Sequence, residues 1–305
     1  MNKKDKKDFL TLKDYDSETI EYLLDLAGNI KNHPSKYRNV LEGRSIALLF
    51  DKKSTRTRLS FEAGISQMGG NAIYLDAKTL QLSRGETYGD TAKIFSGYVD
   101  AVIIRTFSQS TVEIFAKEGS IPVINGLTDM YHPCQILSDL FTIKETGLLK
   151  QGLKFTYMGD SNNVTNSLII GLSKLGFGLT ICSPPEYAPA HEILEYAKSI
   201  GGSKIFVTTD PLKAVKDADI IYTDVWVSMG DSQSSRKIEI LAGYQLNSEL
   251  LKNASKDVTI MHCLPAHRGE EITDEVLDGT GSIVIRQAEN RLYAQKALLA
   301  YIFKS

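Results

Sequence analysis

The segment Asp51–Arg58 reads DKKSTRTR and directly follows an apolar run. We predict that it starts a helix, with Ser54 or Thr55 as the N-cap residue. The free N–H groups and the dipole of a helix start attract anions, and arginine binds phosphate through paired hydrogen bonds. Because first turns normally favour acidic residues, Arg56 and Arg58 indicate an anion site. The alternative is a well-capped helix with solvated arginines. The nucleotide-binding pattern GxxxxGK[ST] is absent from the sequence.

Two further segments of the first half place polar groups after apolar runs. Arg105 closes the run 101–106, and His132 stands before Pro133 and three residues before Gln135. A guanidinium group here would reach a phosphate and an adjacent carbonyl oxygen. An imidazole would donate to a developing oxyanion, and an amide would bind an NH2 group. The alternatives are an arginine that emerges into solvent and a helix cap followed by a surface glutamine.

The second half contains three further segments with polar residues at the ends of predicted strands. Asp160–Val164 (DSNNV) opens a predicted helix, Asp224–Gly230 (DVWVSMG) follows a predicted strand, and Met261–Pro265 reads MHCLP. An aspartate at a strand end can pair with an ammonium group. The carbonyl groups and the thiol of the last segment can accept hydrogen bonds from an amine. The alternatives are an asparagine cap, a loop anchored by the single tryptophan, and a buried cysteine.

Short apolar runs alternate with amphipathic stretches along the chain, which predicts alternating β-strands and α-helices. This pattern is typical of parallel sheets covered on both faces. We therefore predict an α/β protein of two domains, each a parallel sheet flanked by helices, the second one Rossmann-like. The predicted domains are 1–145 and 146–287, with a C-terminal helix, 288–305, that packs back on the first. Predicted strands cover 45–50, 72–76, 101–106, 121–125, 154–159, 178–182, 204–208, 220–225, 258–264 and 282–286. Predicted helices cover 55–68, 87–98, 110–118, 133–146, 164–175, 188–200, 211–215, 246–253 and 288–303.

Composition disfavours several classes of partner. The 305 residues carry a net charge of −2, which gives no overall attraction to nucleic acid or to an anionic membrane. We find no signal peptide and no apolar run of the roughly 18 residues that a membrane span needs, so we expect a cytoplasmic protein. The three cysteines are scattered without CxxC spacing, which disfavours disulfides and structural zinc. His262 and His267 form an HxxxxH spacing around a proline, and no metal is expected there.

Five motifs resemble those of the aspartate/ornithine carbamoyltransferase family. Ser54–Arg58 and His132–Gln135 are similar to the family's carbamoyl-phosphate motifs, whereas Gly159–Val164, Asp224–Gly230 and His262–Pro265 are similar to motifs of its ornithine branch. The resemblance extends over essentially the whole chain. It implies transfer of the carbamoyl group of carbamoyl phosphate to the δ-amine of L-ornithine, which gives L-citrulline and phosphate. This reaction belongs to arginine metabolism and needs no cofactor.

The same resemblance implies residue roles and an assembly. Arg105, His132, Asp224 and Cys263 match catalytic positions. The family is homotrimeric, and the loop that carries Gln81 reaches into the site of a neighbouring subunit. The ornithine site would comprise Asn163, Asp224, Ser228 and Met229. The carbamoyl-phosphate site would comprise Ser54, Thr55, Arg56, Thr57, Gln81, Arg105, His132, Gln135, Cys263, Leu264 and Arg291.

Three other functions share parts of this pattern. A related transcarbamylase would use putrescine, an acetylated ornithine or aspartate, but Asp224 and 228–230 favour an acceptor with a free α-amino acid end. A nucleotide-binding dehydrogenase would share the Rossmann-like domain, but the GxGxxG fingerprint is missing after Gly159. A non-catalytic homologue would bind ligands for regulation, but every polar position of the motifs is intact.

Overall fold

The computed structural model describes residues 6–201, 204–227 and 234–303. The chain divides into two compact units. The first comprises the described residues up to Phe141 together with those from Asn290 onward, and the second comprises Thr142–Glu289. The first unit is therefore discontinuous in sequence, because the final helix returns to it.

The first unit is built on a four-stranded parallel sheet in the order β2-β1-β3-β4. Strands β1 and β3 form its centre and are almost wholly buried, as their unbroken apolar sequences require. The strands are β1 (Ser45–Phe50), β2 (Asn71–Asp76), β3 (Ala101–Arg105) and β4 (Val123–Leu127). The helices are α1 (Ser17–Asn32), α2 (Arg56–Gln67), α3 (Tyr88–Tyr98), α4 (Gln109–Glu118) and α5 (Pro133–Glu145), the last of which continues into the second unit.

The second unit is built on a five-stranded parallel sheet in the order β7-β6-β5-β8-β9. The strands are β5 (Phe155–Met158), β6 (Leu179–Cys182), β7 (Ile205–Thr208), β8 (Ile220–Thr223) and β9 (Thr259–His262). The helices are α6 (Asn163–Lys174), α7 (His191–Ser199), α8 (Pro211–Val215), α9 (Ser234–Leu241), α10 (Ser248–Leu251) and α11 (Asp274–Leu277). The last helix, α12 (Val284–Phe303), begins in this unit and belongs to the first unit from Asn290 onward. The order of these strands is the one found in Rossmann sheets.

Each sheet has a point at which the strand order reverses. In the first sheet it lies between β1 and β3, and in the second it lies between β5 and β8. Ligands of open α/β sheets bind beyond the carboxyl ends of the strands at such a point. Polar residues that the sequence analysis singled out lie at or just after the carboxyl ends of β1, β3, β5 and β8.

The prediction of a strand over 282–286 is wrong. Ser282 forms a single bridge with Ile260, and the N–H of Ile283 donates to the carbonyl of Ile260 at 3.0 Å. The N–H of Gln287 then donates to the carbonyl of Ile283 at 2.8 Å, so α12 begins four residues before the predicted start. The three consecutive apolar residues 283–285 are also compatible with the first turn of a helix that is buried on one side. None of the helices among the described residues is long and apolar enough to cross a membrane.

Candidate active site

The start of α2 is shaped by the hydroxyl group of Ser54. Its Oγ accepts a hydrogen bond from the N–H of Thr57 at 3.3 Å, whereas Thr55, the N-cap residue by backbone geometry, makes no side-chain cap bond. Thr55 is exposed, Ser54 is half-buried and Thr57 is buried. Of the two predicted caps, Ser54 therefore supplies the hydrogen bond. The hydroxyl of Thr55 remains at the surface of this helix start.

The two arginines of this turn have different environments. Nε of Arg58 donates to Oε1 of Glu62 at 3.0 Å, and its guanidinium lies 3.6 Å from the ring centroid of Tyr74. Arg58 is thus held on the outer side of the helix by a neighbouring carboxylate and an aromatic face. Arg56 is half-buried, and it is the arginine of this turn that we assign to an anion.

A buried network joins α12 to two other helices of the first unit. One terminal nitrogen of Arg291 donates to Oε1 of Gln135, and the other donates to Oγ1 of Thr57 at 2.9 Å. Nε2 of Gln135 in turn donates to Oδ1 of Asp139 at 2.9 Å. Arg291 and Gln135 are only 3% and 2% exposed. Both are therefore buried, although their local sequences are also compatible with surface positions. These bonds fix the orientation of the Gln135 amide.

Arg105 and His132 are also buried, at the end of β3 and just before α5. Burial lowers the pKa of His132 well below its usual value of 6.5, and the positive charges of Arg291 and Arg105 lower it further. The imidazole is therefore neutral at neutral pH. A neutral imidazole donates one hydrogen bond from its single ring N–H, which suits the polarisation of a carbonyl oxygen without transfer of a proton.

Gln81 lies on a short 3-10 helix, Gln81–Arg84, with its side chain exposed. The neighbouring Leu82 lines a cavity of about 180 Å³ whose wall also includes Asp51 and Arg105. The loop that carries Gln81 thus borders the carboxyl ends of β1 and β3 within the first unit.

In the second unit, the backbone of the segment after β5 packs closely against Trp226. Gly159 has a φ of +122°, and a Cβ there would lie 3.2 Å from Nε1 of the buried Trp226. Asn162 is the N-cap of α6, since its side chain accepts hydrogen bonds from the N–H groups of Val164 and Thr165. The asparagine cap is thus confirmed. The next residue, Asn163, is half-buried in the first turn.

The carboxylate of Asp224 is the centre of a hydrogen-bond cluster at the ends of β8 and β9. Its Oδ1 accepts from the thiol of Cys263 at 2.7 Å and from the N–H of Val225 at 2.8 Å. Its Oδ2 accepts from Nδ2 of Asn162 at 2.7 Å. Asp224 is buried, whereas Cys263 is partly accessible. The structure therefore brings together the two residues that the sequence analysis named as acceptor-side catalytic groups.

Behind Cys263, a buried pair fixes the backbone of the HCLP segment. Nδ1 of His262 accepts from the N–H of Leu264 at 2.9 Å, so the ring proton lies on Nε2, which donates to Oε1 of Glu271 at 3.0 Å. The N–H of His262 donates to Oε1 of the buried Gln287 at 2.9 Å. Leu264 has a φ of +57° and precedes a cis proline. A left-handed leucine is a costly conformation, and the His262 contacts hold the segment in it.

Two charged side chains near this cluster were missed by the sequence analysis. Nζ of Lys237, on α9, lies 2.8 Å from Oδ2 of Asp160, and both side chains are only 10% exposed. Glu271 is fully buried against His262. Neither Lys237 nor Glu271 lies in a distinctive local pattern, although Asp160 and His262 do. Ser228 and Met229, which the sequence analysis assigned to ornithine, lie outside the described residues.

Among the described residues, Asp224, His262 and Cys263 come close enough together to hold a metal ion, as do His267, Glu270 and Glu271. In the first group, Asp224 and Cys263 bond to each other and both ring nitrogens of His262 are engaged. That group suits an organic amine better than an ion.

Two family models together match most of the chain. The carbamoyl-P binding domain of aspartate/ornithine carbamoyltransferase matches residues 7–145, and its Asp/Orn binding domain matches residues 151–302. This chain belongs to the aspartate/ornithine carbamoyltransferase family. The family assignment that the motifs predicted is thereby confirmed, and with it the activity class of a carbamoyltransferase.

Relatives of this carbamoyltransferase are similar over nearly their full length. The chain is 52% identical over 300 residues to ornithine carbamoyltransferase of Bacillus subtilis, covering 97% of this chain and 93% of that protein. The structure of ornithine carbamoyltransferase from Pyrococcus furiosus matches with a TM-score of 0.93 at 46% identity, covering 97% of each chain. The anabolic ornithine carbamoyltransferase of Campylobacter jejuni matches with a TM-score of 0.92 at 40% identity, covering 97% of this chain and 98% of that one. The predicted α/β fold with two parallel sheets is confirmed.

Proposed function

We propose that this carbamoyltransferase uses carbamoyl phosphate and L-ornithine and forms L-citrulline and phosphate. The choice of acceptor rests on the buried carboxylate of Asp224, which already bonds to Cys263 and Asn162. A carboxylate there attracts a cationic amino acid and repels the side-chain carboxylate of aspartate, the other acceptor of the family. The names of the relatives from Bacillus subtilis and Pyrococcus furiosus favour the same acceptor.

In this proposal the first unit holds carbamoyl phosphate. The N–H groups at the start of α2 and the hydroxyls of Ser54–Thr57, together with Arg56, bind the phosphate. Arg105, the neutral imidazole of His132 and the hydroxyl of Thr57 polarise the carbonyl oxygen. Oε1 of Gln135 already accepts from Arg291 and retains a second lone pair for the carbamoyl NH2 group. Arg291 thus sets the direction of that acceptor and adds positive charge near the phosphate.

The second unit holds ornithine. Asn163 binds the carboxylate end of the amino acid, while Asp224, Ser228 and Met229 bind its α-amino end. Asp224 and Cys263 also orient the δ-amine, and Cys263 with Leu264 offers groups to the carbamoyl NH2. A pre-bonded Asp224–Cys263 pair supplies an acceptor whose geometry is set before the substrate arrives.

The reaction requires a neutral δ-amine. The ammonium of a lysine-like side chain has a pKa of about 10.4, so roughly one molecule in two thousand is deprotonated at neutral pH. The lone pair of that amine attacks the carbonyl carbon and forms a C–N bond. The tetrahedral oxyanion is stabilised by the donors of Arg105, His132 and Thr57. The bond from carbon to the phosphate oxygen then breaks, and the departing phosphate takes the amine proton.

We further propose a cytoplasmic homotrimer that acts in arginine biosynthesis, with Gln81 reaching the site of a neighbouring subunit. Exposed apolar side chains on α3 favour a subunit interface, since Tyr98 is 80% exposed and Ile94 is 44% exposed. Light scattering of the purified protein would give the mass of the assembly. A mixture of Gln81→Ala and His132→Ala subunits tests the shared site, because only mixed trimers would contain one intact site and regain activity.

The decisive experiment measures citrulline formation with ornithine, putrescine, N-acetylornithine and aspartate as acceptors. We expect turnover with ornithine alone. Arg56→Ala should raise the KM for carbamoyl phosphate and lower kcat/KM by about 100-fold, the loss typical of one preorganised charged donor. The matched control is Arg58→Ala, which removes an arginine of the same turn that is held by Glu62 and Tyr74 and should stay within about threefold of wild type.

Each outcome has a distinct meaning. Turnover with another acceptor would keep the carbamoyltransferase activity and overturn the assignments of Asp224, Ser228 and Cys263. Equal losses in the two arginine variants would overturn the assignment of the phosphate to Arg56. No turnover with any acceptor would favour the non-catalytic alternative.

A further inference from the structure

A rigid turn follows the HCLP segment. The N–H of Glu270 donates to the carbonyl of His267 at 2.9 Å, which closes the turn and sets these two side chains next to each other. Nε2 of Gln245 donates to the carbonyls of Gly269 and Glu270 at 2.8 and 2.9 Å. The N–H of Leu246 donates to the carbonyl of Glu271 at 2.9 Å. The backbone of this turn is therefore fixed before any ligand binds.

Three potential ligand atoms converge at the turn. Nδ1 of His267 lies 3.4 Å from Oε2 of Glu270, and a carboxylate oxygen of Glu271 completes a group whose atoms all lie within 4.8 Å of one another. Two ligands of a tetrahedral zinc ion with bonds of about 2.0–2.1 Å are separated by about 3.3 Å. The imidazole and the first carboxylate thus already have that separation.

The carboxylate of Glu271 supplies an independent indication of a ligand. Its side chain is fully buried, and Oε1 accepts from Nε2 of His262 at 3.0 Å and from the N–H of His267 at 2.6 Å. Oε2 is inaccessible to solvent and has no hydrogen-bond partner among the residues that the structure describes. A buried carboxylate oxygen without a partner is costly. It is the kind of group that a cation satisfies.

The one arginine of the turn does not neutralise these carboxylates. The guanidinium of Arg268 donates to Asp274 at 2.5 Å and makes paired bonds to Asp278 at 2.6 and 2.9 Å. It is therefore engaged by two other acids on the exposed side. The imidazole of His267 is 44% exposed, so an ion can approach the group from solvent and keep a water ligand.

We propose that His267, Glu270 and Glu271 bind a divalent cation of the borderline class, of which Zn2+ and Co2+ are examples. One imidazole and two carboxylates suit such ions, whereas Mg2+ prefers all-oxygen octahedral sites. A water molecule completes four ligands. Glu271 also accepts a hydrogen bond from Nε2 of His262. A cation bound to Glu271 weakens that hydrogen bond, and the reaction at the neighbouring Cys263 therefore becomes slower. This last consequence rests on the proposed function, whereas the binding itself does not.

The test is a Co2+ titration of the full-length protein, followed by visible absorption and calorimetry, with Zn2+ competition and a Mg2+ comparison. We expect one Co2+ per chain, the absorption of a tetrahedral site, displacement by Zn2+ and no competition by Mg2+. Loss of a ligand in His267→Ala or Glu270→Gln should weaken binding at least about tenfold. The matched control is His191→Ala, which removes an exposed histidine whose Nε2 lies 3.7 Å from Oε1 of Glu195, and its affinity should equal that of wild type.

Cys263→Ala separates this group from the neighbouring one that contains Asp224 and His262. Unchanged Co2+ binding in that variant supports the proposal. A thiolate charge-transfer band that disappears in Cys263→Ala would overturn it, and so would the absence of Co2+ and Zn2+ binding in wild type. In the activity assay, Zn2+ should inhibit wild type more strongly than Glu270→Gln. A wild-type protein that binds Co2+ at His267 but forms no citrulline would contradict only the proposed function.

Discussion

The ends of β1 and β3 carry Arg56, Arg105 and neutral donors, whereas the ends of β5, β8 and β9 carry carboxylates, amides and a thiol. The strands β1, β3, β5 and β8 flank the reversals of strand order, and β9 is the edge strand next to β8. The topology therefore gives each unit a place for a ligand, but the residue types decide the charge of that ligand. The first unit suits an anion and the second suits an amine.

The two regions also differ in how their side chains are held. In the first unit, positively charged Arg291 orients two neutral side chains, Gln135 and Thr57. In the second, the negatively charged Asp224 is held by donors that are all neutral. Because only neutral groups donate to Asp224 in these three bonds, its carboxylate can attract a cationic amine.

The largest expected effect comes from removing the positive charge at the end of β3. Arg105→Met should lower kcat/KM for carbamoyl phosphate about 1000-fold, because it removes both a charge and donors for the oxyanion. Steady-state kinetics with each substrate varied would measure this loss. Arg44→Met is the control, since Arg44 bonds to Asp100 at 2.6 Å and is 49% exposed. A similar loss of kcat/KM in both variants would contradict the assignment of the anion site to the end of β3.

Lys237 is the exception to the contrast, because it is a buried cation in the carboxylate-rich region. Lys237→Met should lower the free energy of unfolding by about 3 kcal/mol, since it removes the cation that is paired with the buried carboxylate of Asp160. Urea unfolding would measure this, and the double variant with Asp160→Asn should recover part of the loss. Lys154→Met removes an exposed pair with Asp217 and should cost less than about 1 kcal/mol. If Lys237→Met lowered the free energy of unfolding as little as that control, the buried pair would not contribute to stability as predicted.

Asp224→Asn tests the amine-binding region of the second unit. The change removes the charge and the acceptor of the Cys263 thiol, so kcat/KM for ornithine should fall about 100-fold. The KM for carbamoyl phosphate should change by less than about twofold, because the donor groups of the first unit are intact. Asp217→Asn, at an exposed aspartate of the same unit, is the control. An equal rise of both KM values would contradict separate binding regions.

The smallest expected effect is a dependence of stability on pH that originates in the first unit. The pKa of His132 is lowered by burial and by Arg291 and Arg105, so the unfolded chain binds a proton below about pH 6.5 that the folded chain does not. The free energy of unfolding should therefore fall as the pH drops below this value, by up to about 1.4 kcal/mol per pH unit. Denaturant titrations between pH 5 and 8 would show it. His132→Gln should reduce the dependence of the free energy of unfolding on pH. An unchanged dependence would contradict this explanation.

Most strands could be predicted because central parallel strands are continuous apolar runs. The six residues of β1 and the start of β8 match the predicted bounds. The helix α1 was not predicted, although Asp16 caps it through a 2.8 Å bond and its apolar face is buried. The start of α12 was missed because three consecutive apolar residues, 283–285, do not distinguish a strand from a buried helix turn.

The composition of the candidate site could be predicted from residues that follow strands, but the contacts between distant residues could not. Arg291 and Gln135 are 156 positions apart, and Lys237 and Asp160 are 77 apart. No local pattern marks such pairs, because their burial depends on how the helices pack. Glu271 likewise lies in a polar loop, and its burial against His262 could not be read from that local sequence.

The discontinuity of the first unit has a consequence for synthesis on the ribosome. Thr57 and Gln135 emerge early, but Arg291 emerges only after Thr142–Glu289. At roughly 5–20 residues per second, translation of that insertion takes about 7–30 s. During this interval the nascent first unit lacks the guanidinium that joins its helices. With the proposed role of Arg291, the carbamoyl-phosphate site is therefore complete only after α12 has been translated.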